Sequence, residues 1–114
     1  MAETSKMNNS ILIHYSTDYV FDGEKKTMYN SSDIPNPLNN YGKSKFQGEQ
    51  KIIESGCEFF IFRISWLVSE FSKNFVKTIL SKLKEGNDLT IVNDQTGSPI
   101  SSHLVAEITC KVIL

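Results

Sequence analysis

Tyr41 and Lys45 stand four residues apart in the run Tyr41-Gly42-Lys43-Ser44-Lys45. Residues at this spacing lie on one face of a helix, one turn apart. An ammonium group beside a phenol favours the ionised phenol, and such a phenol can give a proton to a carbonyl oxygen or take one from an alcohol. Thr17 follows an apolar run at residues 11–15, so its hydroxyl can hold the same oxygen from the end of a strand. Together these residue types are the proton-transfer set of a reductase.

The assignment depends on the surrounding elements, because a Tyr/Lys pair at this spacing is also common on solvated helix faces. Apolar runs predict strands at residues 11–16, 59–65 and 89–93, and apolar residues at helical spacing predict helices at 40–54, 72–84 and 101–113. Residues 2–7 are typical of the tail of another helix. This alternation predicts an α/β fold, a partial Rossmann-like doubly wound sheet of three mostly parallel strands with covering helices. In such sheets ligands bind at the ends of strands, and Thr17 stands at such an end.

Longer motifs around these residues resemble one known family, the dTDP-4-dehydrorhamnose reductases, which are extended short-chain dehydrogenases/reductases. The resemblance covers nearly the whole chain, and its combined motifs are far more specific than the Tyr/Lys spacing alone. It rests on the runs Ser16-Thr17-Asp18-Tyr19-Val20-Phe21-Asp22-Gly23, Pro35-x-Pro37-Leu38-Asn39-x-Tyr41-Gly42-Lys43-Ser44-Lys45-x-x-Gly48-Glu49, Arg63-Ile64-Ser65-Trp66, Asn74-Phe75-Val76-Lys77-Thr78 and Asp94-Gln95-x-Gly97-x-Pro99.

The resemblance implies reduction of the C4 keto group of dTDP-4-dehydro-L-rhamnose to give dTDP-L-rhamnose, with NADPH or NADH as cofactor. It implies that Tyr41 is the general acid, that Lys45 holds the nicotinamide ribose next to it, and that Thr17 lies beside the substrate carbonyl. It also implies that Asp18 and Trp66 contact the substrate. Each has a structural alternative, since Thr17 can bond local backbone, Asp18 can form a turn or cap a helix, and a lone tryptophan is often core.

A glycine-rich turn for the cofactor is absent from this sequence. The six glycines nowhere approach a G-x-x-G-x-x-G spacing, the turn that lets backbone N–H groups reach a pyrophosphate. In the resembled family that turn lies upstream of the strand leading to Thr17. We therefore expect residues 1–114 to be a single partial domain, a middle-to-late section of the reductase, and expect the isolated chain to be inactive.

Two alternative functions stay open at this stage. One is another nucleotide-sugar epimerase or dehydratase of the same superfamily, which shares the Tyr/Lys pair. The other is a non-catalytic regulatory subunit resembling that of methionine adenosyltransferase. The run Ser65-Trp66 and the loop from Asp94 to Pro99 favour the reductase over the epimerase or dehydratase. Trp66 and the run Asn74-Phe75-Val76-Lys77 argue against the regulatory subunit.

Composition narrows the partners and the compartment. A net charge of −1 and a pI near 6.1 give no electrostatic reason to expect nucleic acid or a membrane as a partner, and residues 1–6 lack the apolar core of a signal peptide. The expected partner is the nucleotide-sugar substrate, the expected compartment is the cytoplasm, and an exposed strand edge would allow a homodimer. Cys57 and Cys110 have no metal-binding spacing and are expected to be buried thiols, His14 is expected to be a satisfied core histidine, and no metal is expected.

Overall fold

Two parallel strands, β1 (Leu12–Thr17) and β2 (Phe59–Ile64), form the sheet of the first part of the chain. Leu12 stands opposite Phe59 and Thr17 opposite Ile64, so both strands end at the same edge. The computed structural model describes all 114 residues and divides them into two compact units, residues 1–64 and 65–114. Each unit is described below by itself.

Two helices complete the first unit, α1 (Ala2–Met7) and α2 (Asn40–Ser55). The amide oxygen of Asn39 accepts a hydrogen bond from the Gly42 N–H at 2.7 Å, which caps the first turn of α2. Gly56 ends the helix with a φ of 67°, a left-handed conformation that glycine adopts without a Cβ penalty. A 3₁₀ turn at Asp18–Val20 follows β1 directly. The caps therefore set both ends of α2.

The second unit has shorter strands. Here β3 (Leu67–Val68) pairs in parallel with β4 (Ile100–Ser101), and the helices are α3 (Phe75–Lys84) and α4 (Ser102–Ile113). Asn74 caps α3 and Ser101 caps α4, each with a side-chain oxygen. No residue of α3 is buried, and none of the helices is long and apolar enough to cross a membrane.

The predicted fold class is confirmed, since the chain is α/β with parallel strands and helices. The three main helices lie where the sequence predicts them, with ends that move by a few residues. The predicted strand at 89–93 is wrong. Residues 89–93 form no ladder, and Ile91 and Val92 are 46% and 66% exposed. A β-branched run becomes a strand only where a neighbouring strand supplies hydrogen-bond partners, and none does so here.

Two predictions for single residues are corrected as well. Cys57 is buried as expected, but Cys110 is exposed on α4. The side chain of His14 is half-buried on β1, yet its Nε2 atom is enclosed and has no hydrogen-bond partner, so it is not a satisfied core histidine. The prediction that the chain is part of a single domain stays a prediction.

Candidate functional site

Thr17 lies at the end of β1 and is almost completely buried, with 4% of its surface exposed. Its hydroxyl donates to a carboxylate oxygen of Asp18 at 3.2 Å and accepts from the backbone N–H of Tyr19, also at 3.2 Å. These bonds cap the 3₁₀ turn that follows the strand. Thr17 therefore makes the local hydrogen bonds predicted for a strand-end threonine, and its hydroxyl donates its proton to a hydrogen bond with the Asp18 carboxylate.

Gly42 brings the first turn of α2 against this turn. A Cβ added at Gly42 would lie 2.9 Å from the carbonyl carbon of Tyr19 and 3.1 Å from Cβ of Pro37, and even closer to the Tyr19 carbonyl oxygen. Only a residue without a Cβ leaves this space, so the helix can start directly beside the chain that leaves β1. Next to it, the rings of Tyr41 and Tyr19 meet edge to face with centroids 5.9 Å apart.

Tyr41 and Lys45 occupy one face of α2 beside the same strand. The ammonium of Lys45 donates to the backbone carbonyl of Tyr15 at 2.7 Å, which fixes it two residues before Thr17. Tyr41 is 56% exposed, so a ligand can reach its phenol. The structure thus gathers an accessible phenol, an anchored ammonium and a buried hydroxyl at the carboxyl end of β1.

A buried ion pair lies further along the same helix. Glu49 has no exposed surface and accepts three hydrogen bonds from the Arg63 guanidinium, the shortest at 2.7 Å. The guanidinium also lies 5.0 Å from the ring centroid of Phe21, in cation–π contact. Glu49, Arg63 and Phe21 therefore tie α2 to β2 and to the segment after the 3₁₀ turn.

The pairing of Glu49 with Arg63 was not predicted, although the sequence contains a signal for it. Glu49 follows Lys45 by four residues, as Lys45 follows Tyr41, so the three share one helix face. A carboxylate on the face that carries the reactive residues requires a cationic partner if that face is buried. Arg63, in an otherwise apolar strand, was the available cation.

His14 lies on β1, close enough to Lys45 for that charge to act on its imidazole. Burial lowers the pKa of His14, the nearby charge of Lys45 lowers it further, and Glu49 partly opposes both effects. These effects favour the neutral form of the imidazole, whose Nε2 faces Gly48 of α2.

Asp22 organises the loop that follows the site. Its carboxylate accepts hydrogen bonds from the Tyr29 hydroxyl at 2.6 Å, from the Asn36 amide at 3.0 Å and from the Glu24 N–H at 3.1 Å. These bonds lower the pKa of Asp22 to about 2. Tyr29 also stacks on Phe21 with ring centroids 4.3 Å apart, so this segment between β1 and α2 has defined internal contacts.

Trp66 belongs to the second unit. Its side chain is 39% exposed, which excludes the fully buried core position allowed by its sequence. The indole lies 6.2 Å from the ring of Phe75 and directly against Gly97. Of the five residues singled out from sequence, the first unit brings together Thr17, Asp18, Tyr41 and Lys45, while Trp66 has its contacts in the second unit.

Comparison with known proteins gives the family. The compared chain is α/β and has a phenol, an ammonium and a hydroxyl at the end of one strand. The model of the RmlD substrate binding domain matches residues 1–114, and the chain belongs to this family.

Individual relatives agree with this assignment and confirm the resemblance. The chain is 41% identical over 112 residues to dTDP-4-dehydrorhamnose reductase of Aggregatibacter actinomycetemcomitans, covering 98% of this chain and 38% of the relative. It is 38% identical over 113 residues to the reductase of the same name from Burkholderia thailandensis, covering 99% and 38%. The chain therefore spans well under half the length of these relatives.

Solved structures give the same result. The crystal structure of dTDP-4-dehydrorhamnose reductase from Bacillus anthracis in complex with NADP superimposes with a TM-score of 0.92 at 38% identity, covering 98% of this chain and 40% of that one. The reductase orthologue from Clostridium acetobutylicum gives a TM-score of 0.91 at 37% identity, with the same coverage.

Proposed function

We propose that this chain carries the catalytic residues of a cytoplasmic NADPH- or NADH-dependent reductase that converts dTDP-4-dehydro-L-rhamnose to dTDP-L-rhamnose. Family membership, the names of the relatives and the NADP in the Bacillus anthracis structure support the proposal. The activity is proposed for a protein that also has the parts of these relatives that this chain does not span. A homodimer stays a prediction.

One observation carries the proposal. Gly42 allows the first turn of α2 to lie against the backbone of Tyr19, which places Tyr41 beside the chain that leaves β1. Lys45 is anchored on the Tyr15 carbonyl at the same strand end. A phenol and an ammonium at the carboxyl end of a parallel strand stand where ligands of α/β proteins bind.

The residues present fit the nicotinamide end of the cofactor and not its pyrophosphate. An ammonium has three donors, and the bond to Tyr15 uses one, so Lys45 has two N–H groups for ribose hydroxyls. None of the six glycines forms the turn that a pyrophosphate requires. The bound cofactor supplies a hydride to C4 of the sugar.

The chain's own residues then handle the proton and the charge. Tyr41 donates its phenolic proton to the C4 oxygen as negative charge develops there, which completes the hydroxyl. The ammonium of Lys45 stabilises the phenolate that remains on Tyr41. The Thr17 hydroxyl turns from Asp18 towards the C4 oxygen when substrate is bound, and Asp18 is then free to accept a bond from a sugar hydroxyl. Trp66 provides the aromatic contact with the sugar.

The test uses a hybrid protein, the Aggregatibacter reductase with its matching segment replaced by this chain. We expect NADPH oxidation with dTDP-4-dehydro-L-rhamnose, and we expect Tyr41→Phe to lower kcat about 10²–10⁴-fold because it removes the proton donor. Tyr19→Phe is the matched control, since it deletes a hydroxyl from the ring in contact with Tyr41. Lys45→Met should lower kcat and also raise KM for NADPH.

Two outcomes would contradict the proposal. If Tyr41→Phe left turnover intact, the general acid would be misassigned, and Thr17 or an ordered water would become the candidate. If a folded hybrid showed no turnover while the unmodified Aggregatibacter reductase was active, a non-catalytic binding subunit would be favoured.

The 114-residue chain alone gives a separate test. We expect no saturable heat of NADPH binding in calorimetric titration and no turnover, because the pyrophosphate has no glycine-rich turn to bind. A clear saturable signal would show that the cofactor site does not require that turn.

A further inference from the structure

Two segments of the second unit meet around Trp66. The N–H of Ile100 donates to the Trp66 carbonyl at 3.3 Å, and the N–H of Ser98 donates to the Ser65 hydroxyl at 3.4 Å. The pairing of β3 with β4 continues this contact. The two motifs that the sequence showed separately, around Trp66 and around Gly97, therefore form one structural feature.

Glycine is required at position 97 because a Cβ would have no space there, and not because the backbone is in the left-handed region. A Cβ added at Gly97 would lie 2.7 Å from Nε1 and 2.8 Å from Cζ2 of the Trp66 indole, distances that real Cβ atoms essentially never show. Its φ is not in the left-handed region. Gly86 of the same unit is the opposite case, with a φ of 72° and nothing within 4 Å of an added Cβ. Gly97 thus leaves room for the indole.

The backbone of Trp66 shows that the ring position is imposed. Its φ is 26°, in the left-handed region that is a genuine outlier for a bulky residue. Such a conformation persists only where the surrounding contacts over-determine it, and it is concentrated at functional sites. The indole is held by Gly97 and by the ring of Phe75, and still keeps 39% of the residue's surface exposed.

We propose that Gly97 is a positioning residue that sets the Trp66 indole for contact with the sugar ring of the nucleotide-sugar ligand. The nature of the ligand rests on the proposed function, whereas the relation between Gly97 and Trp66 does not. A fixed, half-open aromatic ring suits a sugar because it offers an apolar surface and an N–H donor.

The first experiment needs no ligand and uses the 114-residue chain. Trp66 is its only tryptophan, so intrinsic fluorescence reports directly on this ring. We expect Gly97→Ala to change the emission maximum and the accessibility of the indole to acrylamide. Gly48→Ala is the matched control, because an added Cβ there meets only Nε2 of His14 at 4.0 Å, and it should leave the emission unchanged.

A double-mutant cycle separates positioning from a general effect on folding. Gly97→Ala should lower the melting temperature while residue 66 is tryptophan, and should be neutral or slightly stabilising when it is added to Trp66→Ala. The chain with both changes should therefore fold even if Gly97→Ala alone does not. An equal loss in both backgrounds, or an unchanged emission, would overturn the relation between the two residues.

The second experiment measures the ligand part in the hybrid protein. Gly97→Ala should raise KM for dTDP-4-dehydro-L-rhamnose about tenfold and leave kcat and the KM for NADPH nearly unchanged, because an aromatic contact with the sugar is made in the ground state and the transition state alike. A loss confined to kcat, or a rise in KM for NADPH alone, would overturn the sugar contact. If the hybrid lacked all activity, the proposed function and the sugar contact would both fail, while the fluorescence and the cycle would still decide whether Gly97 positions Trp66.

Discussion

The two units of this chain hold their candidate residues in different ways. In the first unit Tyr41 and Lys45 stand on a capped helix whose buried face is fixed by an ion pair, Glu49 with Arg63. In the second unit Trp66 is held by two-residue strands, a loop and one close contact with Gly97. The residues proposed for proton transfer and the residue proposed for ligand contact are therefore supported by different kinds of structure.

The difference has a physical reason. A proton donor must keep its distance to the reacting oxygen within a narrow range, which regular elements joined by buried hydrogen bonds provide. The proposed ligand contact of Trp66 needs one ring orientation, which a single close contact with Gly97 can set within a loop. The predictions below test this difference from the largest expected effect to the smallest.

The largest effect is expected from Glu49→Ala. The change leaves the mostly buried Arg63 guanidinium, 22% exposed, without its carboxylate, and removing one partner of a buried pair costs about 3–5 kcal/mol of the free energy of unfolding. Urea unfolding followed by circular dichroism measures the loss, and Trp66 emission shows whether the second unit unfolds at the same urea concentration.

Two further variants sharpen this prediction. Lys51→Ala breaks the pair with Glu54 on the same helix, where both side chains are well exposed, and should cost far less than Glu49→Ala because solvent screens such a pair. Combining Glu49→Leu with Arg63→Met should recover most of the stability, since an apolar pair of similar volume replaces the charges. A similar loss for Lys51→Ala and Glu49→Ala would remove the distinction between buried and exposed pairs in this unit.

Two glycines of α2 give the next prediction, with opposite signs. Gly42→Ala forces a Cβ against the Tyr19 backbone and should destabilise the first unit by about 1–3 kcal/mol, the usual cost of overpacking. At Gly48 an added Cβ meets only Nε2 of His14 at 4.0 Å, an ordinary contact, so Gly48→Ala should stabilise the helix by about 0.5–1 kcal/mol. Thermal melts of both variants check the signs, and stabilisation by Gly42→Ala would mean that the contact with Tyr19 is not tight.

The sequence predicts the fold of the first unit more closely than that of the second. Helix α2 was predicted almost to the residue, because Asn39 and Gly56 are local signals whose effect does not depend on the rest of the chain. The prediction of a strand at 89–93 is wrong, because strand pairing depends on a distant partner that no local pattern reveals. The two-residue strands β3 and β4 are too short to give any periodic signal.

The candidate site shows the same limit. The spacing of Tyr41 and Lys45 is a local property of a helix and was visible in the sequence. The contact between Gly97 and Trp66 joins residues 31 positions apart. The motif around each residue is visible in the sequence, but their contact in space is not. The anchoring of Lys45 on the Tyr15 carbonyl was hidden for the same reason, since a backbone acceptor has no sequence signature.

Each unit has a helix whose N-cap is an asparagine, so the two caps can be compared with the same residue type. Asn39 accepts one bond from Gly42 N–H at 2.7 Å, while Asn74 accepts from Lys77 N–H at 3.1 Å and also donates to the Ser69 carbonyl at 2.6 Å. Asn39→Ala should cost about 1 kcal/mol, and Asn74→Ala somewhat more because it also loses the loop contact. Asn74→Asp keeps the cap but not the donor, so urea unfolding of the three variants separates the two contributions. An Asn74→Ala cost below that of Asn39→Ala would show that the loop contact contributes nothing.

The smallest effect concerns pH and reports on the interior of the first unit. Burial, aided by Lys45, lowers the pKa of His14 from 6.5, so below pH 6.5 the unfolded chain binds a proton that the folded chain does not. The stability that His14 contributes is therefore complete above pH 6.5 and decreases as the pH falls towards its lowered pKa. His14→Gln should flatten this slope. The lowered pKa values of Asp22 and Asp33 act in a separate pH window, because their contribution to stability is lost only as the pH falls below about 3.8.

Urea unfolding at several pH values from about 5 to 7 measures the slope due to His14 without that of the two aspartates. An unchanged slope in His14→Gln would mean that the imidazole is protonated as readily in the folded chain as in the unfolded one, and that Lys45 does not act on it.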